Sequence, residues 1–295
     1  MSDPLPEMND TPDWYQEIFP GGARTGFFES MTHHALVFVA RDEEQLVVSF
    51  DNLAAAGGRH LARDPWGGKF IRDMGWSHLG ILANGPTWFR DAQLIARLES
   101  LRDEGFFARY KRVAFCGTSM GGFGALVFSR LAQSPTVIAF DPQSTLAGAL
   151  VPFENRYDKG RRQDWSLPYS DAAGQLDHVG RGYLVLDPFE KRDVQHIQRL
   201  NAPHFTVLNL PGGGHKTPVL LRRMDQLKWV MCHAIQGDLS EAEFYRKTRE
   251  RKSIYMYKRN IENYLNNRGR EALRVRFVKA YRARRAQSKL VQEDT

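Results

Sequence analysis

Two cysteines in 295 residues, Cys116 and Cys232, are too few for a disulfide framework. One lies in an apolar run and the other in a helical pattern, so both are expected as reduced thiols. No apolar run approaches the ~20 residues that cross a bilayer as a helix. The opening Met1-Ser2-Asp3-Pro4-Leu5-Pro6-Glu7 has neither the basic start nor the apolar stretch of a secretory signal, and a cytoplasmic location is the expectation. No histidine pair sits at metal-ligand spacing beside a carboxylate, so neither a metal nor another cofactor is expected. His33, His34, His60, His78, His178, His196, His204 and His233 read as surface or packing residues. Nucleotide signatures are also missing. Gly117-Thr118-Ser119 lacks the second glycine of a dinucleotide fingerprint, and Gly214-His215-Lys216-Thr217 misses a phosphate loop by one residue. No nucleic-acid module, internal repeat or low-complexity segment is present.

What remains is the composition of an ordinary globular chain, 42% hydrophobic and 25% charged, long enough for one large domain with an appendage. The formal charge of +7 is unevenly placed. Residues 237–295 hold 16 Lys and Arg against 8 Asp and Glu, whereas residues 1–236 hold 25 against 26. The basic character therefore belongs to a C-terminal extension.

Residues 1–30 read as an irregular segment, with prolines at 4, 6, 12 and 20. Apolar, β-branched runs then recur at 35–39, 46–50, 79–83, 112–116, 136–140, 183–186 and 205–210, with helical patterns at 89–104, 121–130, 190–200 and 217–236. Continuous apolar strands alternating with helices predict an α/β body, 31–236, built on a doubly wound, mostly parallel sheet. The interval 141–182 is a candidate cap or lid. Residues 237–295 read as a basic helical extension, with two helices turning near Asn266-Asn267-Arg268-Gly269.

The most specific local signal is Gly117-Thr118-Ser119-Met120-Gly121. It follows the strand Arg112–Cys116 and opens a small-residue helix, the context in which Gly-x-Ser-x-Gly is a nucleophile elbow. The turn is sharp enough that a Cβ at either flanking glycine is expected to collide with its neighbours. Ser119 would then stand free at the carboxyl edge of the sheet. The Met120 N–H would lie at a helix N-terminus, ready for a developing oxyanion.

A serine nucleophile needs a base, and the base needs an orienting group. Loops at the carboxyl ends of parallel strands share one edge. Asp187 ends the strand at 183–186, and His215 follows the last strand in Pro211-Gly212-Gly213-Gly214-His215. Asp141, at the end of the preceding strand, is the rival acid. The order Ser119, Asp187, His215 with these strand-end positions resembles the α/β-hydrolase family over roughly residues 30–236. The resemblance implies Ser119 as nucleophile, His215 as general base then acid, and Asp187 as orienter, with an acyl-enzyme on the serine. The second oxyanion donor is expected after the second strand of that body, at the Asn52 N–H, where the sequence departs from the His-Gly-Gly-Gly loop of many lipases and esterases.

The candidate cap is rich in charge and aromatics rather than apolar. Arg161 and Arg162 are candidates to meet an anionic group, and Trp165 or Tyr157 to stack on a sugar. The leading expectation is a serine hydrolase cleaving an ester of a small polar molecule or saccharide. An acyltransferase with the same triad and a non-catalytic hydrolase-like scaffold are the alternatives. The basic extension is expected either to pack on the body as a helical hairpin or to meet an anionic partner or surface.

Overall fold

A computed structural model describes residues 11–19, 21–57, 63–200 and 202–293, with side chains up to residue 286. Prolines 4, 6 and 20, together with Gly58 and His60, lie outside the described residues. The strands are β1 Gly26–Ser30, β2 His34–Val39, β3 Gln45–Phe50, β4 Ser77–Ala83, β5 Arg112–Thr118, β6 Thr136–Phe140, β7 Arg181–Leu186 and β8 Phe205–Asn209. They form one sheet in the order β1-β2-β4-β3-β5-β6-β7-β8. The pairs β1/β2 and β2/β4 are antiparallel, and every later pair is parallel. The expected doubly wound sheet is thus present. The elbow strand β5 lies near its middle, flanked by β3 and β6.

Helices cover both faces because the parallel strands are apolar on both. Along β5, Val113 and Phe115 join one core with Leu94, Leu98, Phe123 and Phe128. Ala114 and Cys116 join the opposite core with Leu220, Leu221, Val230 and Met231. That alternation is the two-residue period of a strand buried on both sides. The helices that matter for the site are α1 Asp13–Ile18, α2 Gly68–Asp73, α3 Ala92–Asp103, α4 Met120–Phe128, α5 Asp158–Arg161, α6 Lys191–Leu200, α7 Thr217–Arg223 and α8 Leu227–Gln236. The C-terminal set is α9 Glu241–Lys247, α10 Tyr255–Asn267 and α11 Glu271–Glu293.

Three boundaries differ from the sequence reading. The segment expected to be irregular contains α1 and β1. Gly26-Phe27-Phe28-Glu29-Ser30 is short, and only its pairing with β2 makes it a strand. The helix expected at 217–236 is broken by Asp225, whose φ of 56° is incompatible with a continuing helix. The C-terminal region has three α-helices rather than two, because a 3₁₀ segment at Thr248–Ser253 separates α9 from α10.

The extension is tied to the body by its own apolar residues. Phe244 of α9 and Met256 of α10 are buried in the same core as β7, β8, α7 and α8. The Tyr245 hydroxyl accepts the Asn209 N–H at 3.2 Å. Asn260 Nδ2 donates to the Gly212 carbonyl at 2.9 Å, so α10 also holds the loop that leads to His215. The helix α11 folds back on α10, with Tyr257 and Phe277 edge-on at 5.7 Å.

Candidate active site

Ser119 sits between β5 and α4 with φ 54° and ψ −117°, a backbone conformation that costs a side-chain-bearing residue of order 1–3 kcal/mol. The surrounding glycines make room for it. A Cβ on Gly117 would lie 2.3 Å from the Gly121 carbonyl, and one on Gly121 would lie 2.4 Å from the Phe50 carbonyl oxygen. The predicted collision is thus present at both flanking positions. The Ser119 N–H is held by the Phe140 carbonyl at 2.8 Å. Met120 is the first residue of α4, so its N–H has no acceptor within the helix.

His215 reaches the serine. Its Nε2 lies 2.8 Å from Ser119 Oγ. On the far side of the ring, Nδ1 lies 2.7 Å from Asp193 Oδ2. A carboxylate at Nδ1 fixes the proton there and leaves Nε2 as the acceptor. The carboxylate on the ring is therefore Asp193, in the first turn of α6, and not Asp187. Asp187 is occupied otherwise: its Oδ1 accepts the Phe189 N–H at 3.0 Å, and its Oδ2 accepts those of Gly212 at 2.9 Å and Gly214 at 2.8 Å. Gly212 and Gly214 have φ of +83° and +55°, which lets their N–H groups converge on one oxygen. Asp187 thus ties the histidine loop to the mouth of β7. The rival Asp141 is not on the ring either. It is fully buried, its Oδ2 accepting from the Thr217 N–H and hydroxyl at 2.9 and 2.8 Å.

Asp193 belongs to a buried charge network. Its Oδ1 takes Arg156 Nη2 at 2.7 Å, and Arg156 also grips Glu154 at 2.6 Å. Glu154 Oε2 accepts His196 Nε2 at 3.1 Å, and His196 Nδ1 accepts the Ser144 N–H at 3.1 Å. Arg199 closes the series with Ser144 Oγ at 2.6 Å and Asp171 at 2.8 Å. Asp193, His196 and Arg199 are spaced three apart on α6, so they share a face turned toward the 141–182 segment. Asp193, Glu154 and His196 are each fully buried. Burial would favour neutral Glu154, but His196 and Arg156 outweigh it and hold the carboxyl down at about 2. Burial likewise opposes charge on His215. The hydrogen bond and charge of Asp193, helped by Asp141, outweigh it and raise the imidazole above its ordinary pKa. Asp141 itself is raised well above the usual carboxylate range by burial.

Two further groups crowd Ser119. Tyr157 Oη lies 2.8 Å from His215 Nε2, so two hydroxyls address one lone pair. Burial pushes the phenol up to about 12, which keeps it a neutral donor. Gln143, fully buried, directs Nε2 to Ser119 Oγ at 3.4 Å while its Oε1 accepts Trp88 Nε1 at 3.1 Å. The 141–182 segment therefore does reach the site, through Gln143, Arg156 and Tyr157. Arg161 is bound to the Val151 and Glu154 carbonyls. Trp165 donates to the Gly160 carbonyl at 3.0 Å and packs on Phe123. Arg162 is exposed. Arg161 and Trp165, the expected substrate contacts, are thus engaged with backbone carbonyls of their own 141–182 segment.

Asn52 begins the loop after β3. Its Oδ1 accepts the Ala55 N–H at 2.8 Å, a local turn that fixes the backbone. The Phe50 and Asp51 carbonyls touch the position where a Gly121 Cβ would be, so this loop runs beside the first turn of α4. Asp51 anchors it by accepting the Ala83 N–H at 2.8 Å and pairing with Arg63. Among the described residues, no group of three His, Cys, Asp or Glu is placed to hold a metal ion. No helix there is long and apolar enough to cross a membrane.

Sequence signals for the missed residues were faint. Asp193-x-x-His196-x-x-Arg199 at helical spacing reads as a solvated face unless the partner surface is known. Gln143 and Arg156 carry no motif.

No family model and no curated protein matches the chain. Solved structures with a similar backbone include the capsule O-acetyltransferase of Neisseria meningitidis serogroup A, at 14% identity and TM-score 0.48, covering 71% of this chain and 94% of that one. A bacterial heroin esterase aligns at 14% identity and TM-score 0.47, over 77% and 84% of the two chains. A fluorophosphonate-binding serine hydrolase of Staphylococcus aureus aligns at 11% identity and TM-score 0.46, over 77% and 98%. The strand order, the elbow after β5 and the histidine loop after β8 are, on their own evidence, those of the α/β-hydrolase fold, and this chain has that fold.

Proposed function

We propose that the protein is a serine acyl hydrolase that cleaves an ester through an acyl-enzyme on Ser119. The observation that carries this reading is the relay Ser119 Oγ–His215 Nε2–His215 Nδ1–Asp193 Oδ2, at 2.8 and 2.7 Å. His215 takes the serine proton as Oγ attacks the carbonyl carbon, and Asp193 stabilises the imidazolium that forms. The Met120 N–H receives the oxyanion, with Asn52 N–H as the second donor. Each such donor is worth about 3–4 kcal/mol of barrier. His215 then gives its proton to the leaving alcohol, and water releases the acid. Trp88, Tyr157 and Gln143 crowd the space around Ser119, which favours a short acyl group.

The test is Ser119→Ala. Hydrolysis of p-nitrophenyl acetate should fall by about 10⁴-fold or more, and covalent labelling by a fluorophosphonate should vanish, with the melting temperature retained. Turnover at the original rate would remove the assignment.

A further inference from the structure

A cavity of about 770 Å³ opens beside His215, between the start of α6, the Gly213–Lys216 loop and α10. The volume lies within the ~300–1,000 Å³ range of small-ligand sites. Five cations line it: Lys191, Arg192, Lys216, Arg259 and Arg268. None of the five side chains forms an ion pair or side-chain hydrogen bond among the described residues. Two carboxylates, Asp187 and Glu190, share the cleft, so its charge is positive but mixed. Asp187 is already bonded to three backbone N–H groups.

The remaining lining suits hydroxyl groups. Asn263 and Asn267 lie one helical turn apart on α10, and Gln195 faces them from α6. These carboxamides make no side-chain hydrogen bond among the described residues, and each offers both donors and an acceptor. Phe189 stacks on Tyr264 with ring centroids 4.4 Å apart, yet Phe189 remains 40% exposed, an apolar platform at the cleft wall. A phosphate-dense polymer would meet Glu190 unfavourably. A sugar hydroxyl can donate to it.

Position relates the cleft to the chemistry. The leaving alcohol receives its proton from His215, so it lies on the His215 side of the scissile bond. We propose that this cleft binds the alcohol half of the ester and that this half is an anionic oligosaccharide, its acidic groups held by the five cations and its hydroxyls by the carboxamides. This rests on the acyl-hydrolase reading for the direction of the bond, and not for binding itself. The C-terminal helices thereby become a wall of the substrate site.

The experiment measures binding by titration calorimetry to Ser119→Ala, with tetragalacturonate and a heparin tetrasaccharide as acidic probes. Cellotetraose serves as the neutral probe and a single-stranded oligodeoxynucleotide as the alternative polyanion. At least one acidic saccharide should bind tenfold or more tightly than cellotetraose and weaken as salt rises from 50 to 300 mM. The double variant Arg259→Glu/Arg268→Glu should lose tenfold or more. Lys191→Glu/Arg192→Glu, on a different helix, should do the same and covers the case in which the first variant fails to fold. Equal binding of neutral and acidic saccharides, tighter binding of the oligonucleotide, or folded charge reversals without effect would overturn the proposal. Fluorophosphonate labelling of Ser119 in the wild-type chain separates the two readings. Labelling without saccharide binding removes the cleft assignment alone, and saccharide binding without labelling removes the hydrolase assignment.

Discussion

The elbow and the acid side of the relay are built in opposite ways. Gly117–Gly121 is five consecutive residues whose geometry follows from local sterics: two glycines admit close backbone contacts, and the serine between them takes the strained turn. The acid side comes from segments far apart in sequence. Arg156 and Glu154 come from the 141–182 segment, Asp193 and His196 from α6, and His215 from the loop after β8. A short motif can carry steric requirements, whereas a buried charge network needs every partner in place before any member is stable. Removing one leaves the others unpaired in a poorly solvating interior.

The largest test of this contrast sets the two aspartates against each other. Asp193→Asn should lower kcat by about 10⁴-fold, since the ring loses the carboxylate that fixes its tautomer. Asp187→Asn should cost tenfold or less, because it loosens a loop rather than the ring. Reversed effects in steady-state kinetics would restore Asp187 as the acid. The same variant has a pH signature. In the proposed mechanism His215 must be neutral to act, and its imidazole is raised above its ordinary value, so the acidic limb of kcat/KM should lie above the usual histidine pKa. Without the Asp193 charge that limb should move to lower pH.

Next in size is Arg156→Met. It leaves Asp193 and Glu154 without their shared cation, and denaturant titration should show a loss of about 3–5 kcal/mol. Stability within 1 kcal/mol of wild type would mean that the network is solvated and that the contrast with the elbow is overdrawn. On the elbow side, Gly121→Ala puts a methyl group against the Phe50 carbonyl and must shift α4. Displacing Ser119 by about 1 Å should slow fluorophosphonate labelling ~10²-fold. An unchanged rate would show that the motif does not depend on that contact.

The smallest effect belongs to Tyr157→Phe. Removing the second hydroxyl leaves the His215 lone pair to Ser119 alone, at a difference of about 1 kcal/mol, so labelling should accelerate two- to fivefold. A tenfold slowing would instead assign the phenol to the reacting groups as a required donor.

Much of the fold was legible because strands buried on both faces leave continuous apolar runs. All seven expected runs are strands of the sheet, whereas β1 is defined by its partner and left no such trace. Within the site, Ser119 and His215 were legible because strand-end position and glycine context point to one rim, and the structure brings them within hydrogen-bonding distance. Asp187 occupied the expected place in the chain and yet serves three backbone N–H groups. Arg161 and Trp165, expected at a ligand, hydrogen-bond to carbonyls of the 141–182 segment.

The amino-acid sequence by itself determined the alternation of strands and helices, the strained turn at Ser119 and the side of the sheet where chemistry gathers, because each depends on steric and hydrophobic periodicities only a few residues long. Which carboxylate meets His215, which residues of the 141–182 segment touch the site and how α10 walls a cleft beside it were decided only by the tertiary structure. Those outcomes turn on a few ångströms between groups distant in sequence, and charge and hydrogen-bond energies change steeply over that distance.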